Sequence, residues 1–176
     1  SDGTFIANRA VGAGGAIDAG TFLTLLGGRF TENTSGSNPL GGGGAYANDG
    51  ASVTRTVFER NVATNGDGGG LYVNTSALDM SEATFVGNVA GGKGGGLRTR
   101  GAATIARSTF AANTATGNGG AVYADSTLTL TDSEFTANRA GSSPGTGLGG
   151  SVYAEGLVTA TGSTFADSTA GNAGGA

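Results

Sequence analysis

Phenylalanine returns along this chain at a nearly fixed interval, and that interval decides what the chain can fold into. Phe5, Phe30, Phe58, Phe85, Phe110, Phe135 and Phe165 stand 25 to 30 residues apart. Three positions after each of the first six comes an asparagine, at Asn8, Asn33, Asn61, Asn88, Asn113 and Asn138, and only the last coil departs, with Ser168. A period of about 20 to 50 residues marks a repeat architecture, in which a unit too small to bury its own apolar side buries it against its neighbours.

A second motif recurs in phase with the first. A glycine pair followed by a small or apolar residue appears as Gly14-Gly15-Ala16-Ile17, Gly43-Gly44-Ala45-Tyr46, Gly69-Gly70-Leu71-Tyr72, Gly95-Gly96-Leu97-Arg98, Gly119-Gly120-Ala121-Val122 and Gly149-Gly150-Ser151-Val152. This is where the unusual content of 37 glycines is used. Glycine opens backbone angles closed to other residues and lets two backbones approach closely.

Between the motifs lie short alternating stretches divided by Gly, Asn, Asp and Ser, which read as strands joined by turns. Five residues before each phenylalanine from the second onward stand Leu25, Val53, Met80, Ile105, Leu130 and Ala160; seven before stand Leu23, Ala51, Leu78, Ala103, Leu128 and Val158. The residues between them, including Thr24, Ser52, Asp79, Thr104, Thr129 and Thr159, are polar. Period-two alternation places the first two sets inside and the third outside.

The expected fold is therefore all-β, a right-handed single-stranded parallel β-helix of about seven coils of 25–30 residues, near 1–15, 16–44, 45–70, 71–96, 97–120, 121–150 and 151–176. At roughly 4.8 Å per rung it makes a rod about 30 to 35 Å tall. The phenylalanines and asparagines are expected to form internal stacks, the asparagine amides passing hydrogen bonds from rung to rung. Because Gly174-Gly175-Ala176 reads as the opening of another coil, the single domain 1–176 is expected to be a segment of a longer protein.

Composition narrows the function. Nine basic against 13 acidic residues, a net charge of −4, leave no footprint for nucleic acid or for an anionic membrane surface. The absence of Cys and His removes a disulfide framework, a thiolate site and the commonest general base and metal ligand. The expectation is no catalytic residue, no metal and no cofactor. Nothing in the chain has the length of an apolar membrane span, so this segment is not expected to insert.

With the motifs Phe-x-x-Asn and Gly-Gly-Ala-Ile in hand, the chain resembles the repeats of the chlamydial polymorphic outer membrane proteins and related bacterial β-helix surface proteins over nearly its whole length. The resemblance implies a β-helical ectodomain at a cell surface, in several cases acting in adhesion. It transfers no catalytic site, because the shared residues are structural. Several glycine motifs depart from it by ending in Tyr or Arg.

The expected function is a non-catalytic structural or adhesive module of an extracellular or cell-surface protein. Its partner would be a surface protein, a glycan or neighbouring subunits of an assembly. Two readings from other classes stand beside it. Threonines 104, 129, 131, 159 and 161 (Thr104, Thr129, Thr131, Thr159, Thr161) form a candidate binding face whose outward hydroxyls could engage ice. A polysaccharide-active enzyme would instead need carboxylates converging on one exterior face. The best charged column, Arg55, Glu82, Arg107 and Asp132, alternates in sign and reads as a surface ion-pair ladder. A second acidic column runs through Asp49, Asp125 and Glu155; Asp67 stands alone among glycines where a calcium repeat would need several aspartates; the segments 34–42 and 139–148 vary most in length.

Overall fold

The computed structural model describes residues 2–36, 40–141 and 146–172. Gly174 to Ala176, and parts of the two most variable segments, lie outside them. Among the described residues there is no helix. Twenty-six short strands form four parallel sheets, two of seven strands and two of six, so the chain climbs through about six and a half turns of a parallel β-solenoid.

In chain order, the first sheet holds the phenylalanines (Thr4–Ile6 through Thr164–Ala166). The second is a narrow two-residue sheet (Arg9–Ala10 through Thr169–Ala170). The third runs from Ile17–Ala19 to Val152–Ala154 and the fourth from Leu23–Leu26 to Val158–Thr161. Each strand pairs in parallel with its equivalent one coil away, Phe with Phe and Met80 with Val53 and Ile105.

The core is a set of columns. Six neighbouring pairs of phenylalanine rings stack with centroids 4.6 to 4.9 Å apart and planes within 3 to 15°. Rung spacing sets that separation, and burying a ring of this size stabilises by about 2 kcal/mol or more. The two alternating apolar columns of the fourth sheet belong to the same core.

One-residue bends make the corners. Between the first and second sheets the left-handed residue is Ala7, Glu32, Arg60, Gly87, Ala112, Ala137 or Asp167, with φ between 51 and 63°. Between the fourth and first it is Asp2, Gly27, Arg55, Glu82, Arg107, Asp132 or Gly162, with φ between 47 and 73°. Most of these are not glycine, so each costs about 1 kcal/mol or more that the stack must overcome.

The hydrogen bonds at these bends show how. Beside the first bend, the Nδ2 of each interior asparagine donates to Oδ1 of the next at 2.8 to 3.0 Å, and the backbone N–H of the same residue shares that acceptor at 2.9 to 3.0 Å. The other Nδ2 proton goes back to the phenylalanine carbonyl of the previous rung, as in Asn113 to Phe85 at 2.9 Å. Ser168 takes the place of the last asparagine and accepts from the Asn138 N–H at 3.1 Å. Beside the other bend, Ser108, Ser133 and Ser163 form a hydroxyl ladder, each accepting a backbone N–H from the rung before at 3.1 Å.

The glycine motif needs a change of register. Strand pairing aligns Ile17, Ala45, Leu71, Leu97, Val122 and Val152. The motif therefore starts one residue earlier in three coils, at Gly42, Gly68 and Gly94. Runs of three glycines, or four at Gly41 to Gly44, made the pair ambiguous in sequence. The first glycine has φ of 60 to 70° in all six coils. The second is a close approach: a Cβ on Gly95 would lie 2.2 Å from the Gly120 carbonyl oxygen. The third position tolerates Ala16, Ala121 and Ser151. Every motif now ends in an apolar residue, so the Tyr and Arg departures disappear.

Candidate functional site

The threonine face is the outside of the fourth sheet. Thr104, Thr129 and Thr159 are register partners in one column, and Thr131 and Thr161 are partners in the next. The first column continues through Asp79, Ser52 and Thr24, the second through Ala106, Ser81, Thr54 and Leu26. Thr104, Thr129, Thr159 and Thr161 are exposed and Thr131 is half-buried. The only complete block of four threonines is therefore Thr129, Thr131, Thr159 and Thr161, with Thr104 beside it. A pleated sheet sets their spacing at roughly 6.6 Å along the strand and 4.8 Å between rungs.

The phenylalanine and asparagine columns face inward. Phe30, Phe58, Phe85, Phe110 and Phe135, and Asn33, Asn61, Asn88, Asn113 and Asn138, are buried, while Phe5, Asn8 and Phe165 lie at the end rungs. None of the buried ones is accessible to a ligand.

The new register exposes a column that the sequence reading did not assemble. Asp18, Tyr46, Tyr72, Arg98, Tyr123 and Tyr153 are successive partners on the outward side of the third sheet. Although they point away from the core, Tyr46, Tyr72, Arg98 and Tyr123 are buried, because the loops preceding the glycines fold over them. Ala13 and Leu40 pack on Tyr46 and Tyr72. The sequence signal was present in the three-glycine runs: moving the motif back by one puts Tyr or Arg at one position in five coils.

The electrostatics of this column are self-contained. Arg98 lies between two rings, 5.7 Å from the Tyr72 centroid and 4.6 Å from that of Tyr123. It donates to Asp67 at 2.6 Å from one side and to Asp125 at 2.6 Å from the other. Lys93 Nζ sits 4.3 Å over the Tyr123 ring and donates to its hydroxyl at 2.9 Å, while that hydroxyl donates to Glu155. Burial, then the Glu155 hydrogen bond and the nearby carboxylates, push the Tyr123 phenol well above its ordinary value. Burial raises Tyr72 and Tyr46 as well. Burial works against the charge on Arg98, but the Asp125 hydrogen bond and the two aspartates outweigh it and the pKa rises.

Several charged residues thus acquire specific roles. Asp67 does not stand in a cation cradle; its Oδ1 also accepts the Lys93 N–H at 2.6 Å, which clasps one loop to the next. Asp125 and Glu155 are engaged by Arg98, Arg100 and Tyr123. The Arg55, Glu82, Arg107, Asp132 column closes a single ion pair, Arg107 with Glu82 at 3.5 Å, because its members sit on the left-handed bend, where no flat strand holds neighbouring side chains face to face. Among the described residues no group of three or more Asp or Glu is placed to hold a metal ion, and no helix is long and apolar enough to cross a membrane.

The stretch Arg107 to Asp125 contains the bend, the serine ladder, Phe110, Asn113, the glycine motif and Tyr123, and leaves out the fourth-sheet strand. Residues 107–125 match the Chlamydia polymorphic membrane protein repeat. That repeat is one of a surface-protein family, and its matched span in this chain covers three of the four strands of one coil, from the first sheet through the third. Neither a curated protein nor a solved structure matches the chain. The same phenylalanine, asparagine and glycine columns continue in the coils on both sides of the matched span.

Proposed function

We propose that this chain is a non-catalytic β-helical module of a cell-surface protein, serving as a stiff support that presents its lateral faces to adhesive partners. The observation that carries the reading is the polymorphic membrane protein repeat at residues 107–125, embedded in a stack whose other coils repeat its chemistry. Stacked coils joined by continuous amide and ring columns resist bending, which suits display. The charged groups around Arg98 and Tyr123 on the third sheet are occupied with one another, whereas the fourth-sheet threonine face is accessible and sparsely charged.

Antibody raised against the chain should label intact producing cells, and protease shaving should remove the label. Labelling only after permeabilisation overturns the surface reading. For adhesion, the purified chain should compete with cells for their binding substratum, and the Thr129→Asp, Thr159→Asp double variant should compete at least tenfold less well.

The fully threonine block at Thr129, Thr131, Thr159 and Thr161 favours ice as a second partner class. Thermal hysteresis abolished by Thr129→Asp would establish it; a concentrated solution without hysteresis removes it.

A further inference from the structure

The corner between the fourth and first sheets carries four charged bends in succession. Arg55, Glu82, Arg107 and Asp132 hold equivalent places one rung apart, each N–H donating to the strand end of the next coil, as in Arg55 to the Ser81 carbonyl at 3.1 Å and Arg107 to that of Thr131 at 2.9 Å. All four side chains are exposed. Gly27 holds the same place one coil before them and Gly162 one coil after, so the run of charge is bounded on both sides within the described residues.

Within one rod these charges are largely unused. A ladder along the corner would pair Arg55 with Glu82, Glu82 with Arg107 and Arg107 with Asp132, but among the described residues only the middle pair forms, at 3.5 Å. The Asp132 carboxylate instead leans over the bare Gly162 of the next coil. Full side chains at φ of 47 to 54° also strain a bend that glycine makes freely at Gly27 and Gly162.

The order of the signs supplies a use. Along the rod the column runs positive, negative, positive, negative, and turned end for end it meets its own complement. A two-fold axis perpendicular to the rod, midway between the Glu82 and Arg107 rungs, sets Arg55 of one copy opposite Asp132 of the other and Glu82 opposite Arg107. That makes four unlike pairs and no like pair. The columns flanking the corner leave room for it, since the same axis puts Thr54 opposite Thr131, Ser81 opposite Ala106 and Thr84 opposite Thr109. Two rods running the same way and shifted by one rung form fewer unlike pairs, and that contact does not close on itself.

We propose that this corner is a self-association edge, along which a second copy of the chain docks antiparallel through the four charged bends. The contact is isologous, the same residues serving both copies, and therefore stops at a dimer. Exposed ion pairs hold it, so it is weak, reversible and screened by salt. Such a contact becomes effective where many copies are held close together and the effective concentration is high. This goes beyond the surface-module reading and does not depend on cellular location.

The test is sedimentation velocity of the whole 176-residue chain over a range of concentrations. At low ionic strength a reversible monomer–dimer equilibrium should appear, weakened at least tenfold at about 1 M salt, where the Debye length is about 3 Å. Arg55→Glu and Asp132→Arg should each weaken the dimer at least tenfold with an unchanged circular dichroism spectrum. The double variant Arg55→Glu, Asp132→Arg should recover most of the lost affinity. Within one rod it sets like charges on neighbouring rungs at both ends of the column, and it does the same to rods paired in parallel, so recovery comes only from copies turned end for end. No self-association at high concentration, a dimer indifferent to salt or to both single reversals, or a double variant no better than the singles overturns the proposal.

Discussion

Asn88 donates from Nδ2 to the Oδ1 of Asn113 at 2.9 Å, and the Asn88 backbone N–H converges on the same oxygen at 3.0 Å. One buried oxygen therefore terminates two donors from the rung below, while Asn113 Nδ2 serves the Phe85 carbonyl and Asn138. Asn113→Ala leaves several buried polar groups unpaired at once and should cost about 3 kcal/mol or more. Asn113→Ser should cost about half as much, since a hydroxyl can still accept one N–H, as Ser168 does from Asn138. Thermal melts of the two variants read the difference; equal losses would mean that the ladder is not what the asparagines contribute.

Phe110 has rings stacked on both sides, whereas Phe165, among the described residues, stacks on Phe135 alone. Phe110→Ala should lower stability by about 3 to 5 kcal/mol and Phe165→Ala by clearly less, because Phe110 is fully buried and Phe165 only half-buried. Denaturant melts of the pair decide this.

Adjacent glycines should behave oppositely. A Cβ on Gly95 meets the Gly120 carbonyl oxygen at 2.2 Å and the Thr114 backbone at 2.5 Å, whereas on Gly96 its nearest contact is the Ala121 oxygen at 3.0 Å, in a column that holds alanine in other coils. Gly95→Ala should prevent cooperative folding or destabilise by several kcal/mol, on the order of a severe core mutation. Gly96→Ala should remain folded with a shift of about 1 kcal/mol or less. Their circular dichroism melts provide the comparison.

The tyrosine column predicts alkaline sensitivity. Folding raises the phenols of Tyr72 and Tyr123 above the ordinary value of 10.0, so the folded state holds these protons more tightly than the unfolded chain. Their contribution is complete below pH 10 and is lost as pH rises from there through the folded values. Tyrosinate absorbance should therefore appear together with loss of the β-sheet spectrum, and Tyr123→Phe should flatten the dependence of melting temperature on alkaline pH. Full tyrosine ionisation in a chain that keeps its structure would contradict this.

Much of the architecture was legible because it repeats. Phenylalanine and asparagine at a common interval, with Leu25, Val53, Met80, Ile105, Leu130 and Ala160 at a fixed offset, leave one register for the first and fourth sheets, and the strands pair in that register. The glycine register was not legible from the glycines themselves, since Gly41 to Gly44, Gly68 to Gly70 and Gly94 to Gly96 each offer more than one alignment of the pair. A left-handed bend and a close backbone approach leave no mark on a residue without a side chain; the signal that separates the alignments is the Tyr or Arg that the shift brings to one position in five coils.

The candidate surfaces divide in the same way. The threonine columns follow from period-two alternation, which the sequence by itself determines because neighbouring side chains of a strand must point to opposite faces. That the outward Tyr46, Tyr72, Arg98 and Tyr123 are buried was decided only in three dimensions. It depends on loops of unequal length folding back over the third sheet, and on Asp67 and Lys93 reaching partners about one coil away, Arg98 and Tyr123. Local periodicity fixes which way a side chain points. What covers it is set by packing between segments distant in sequence, and no period records that.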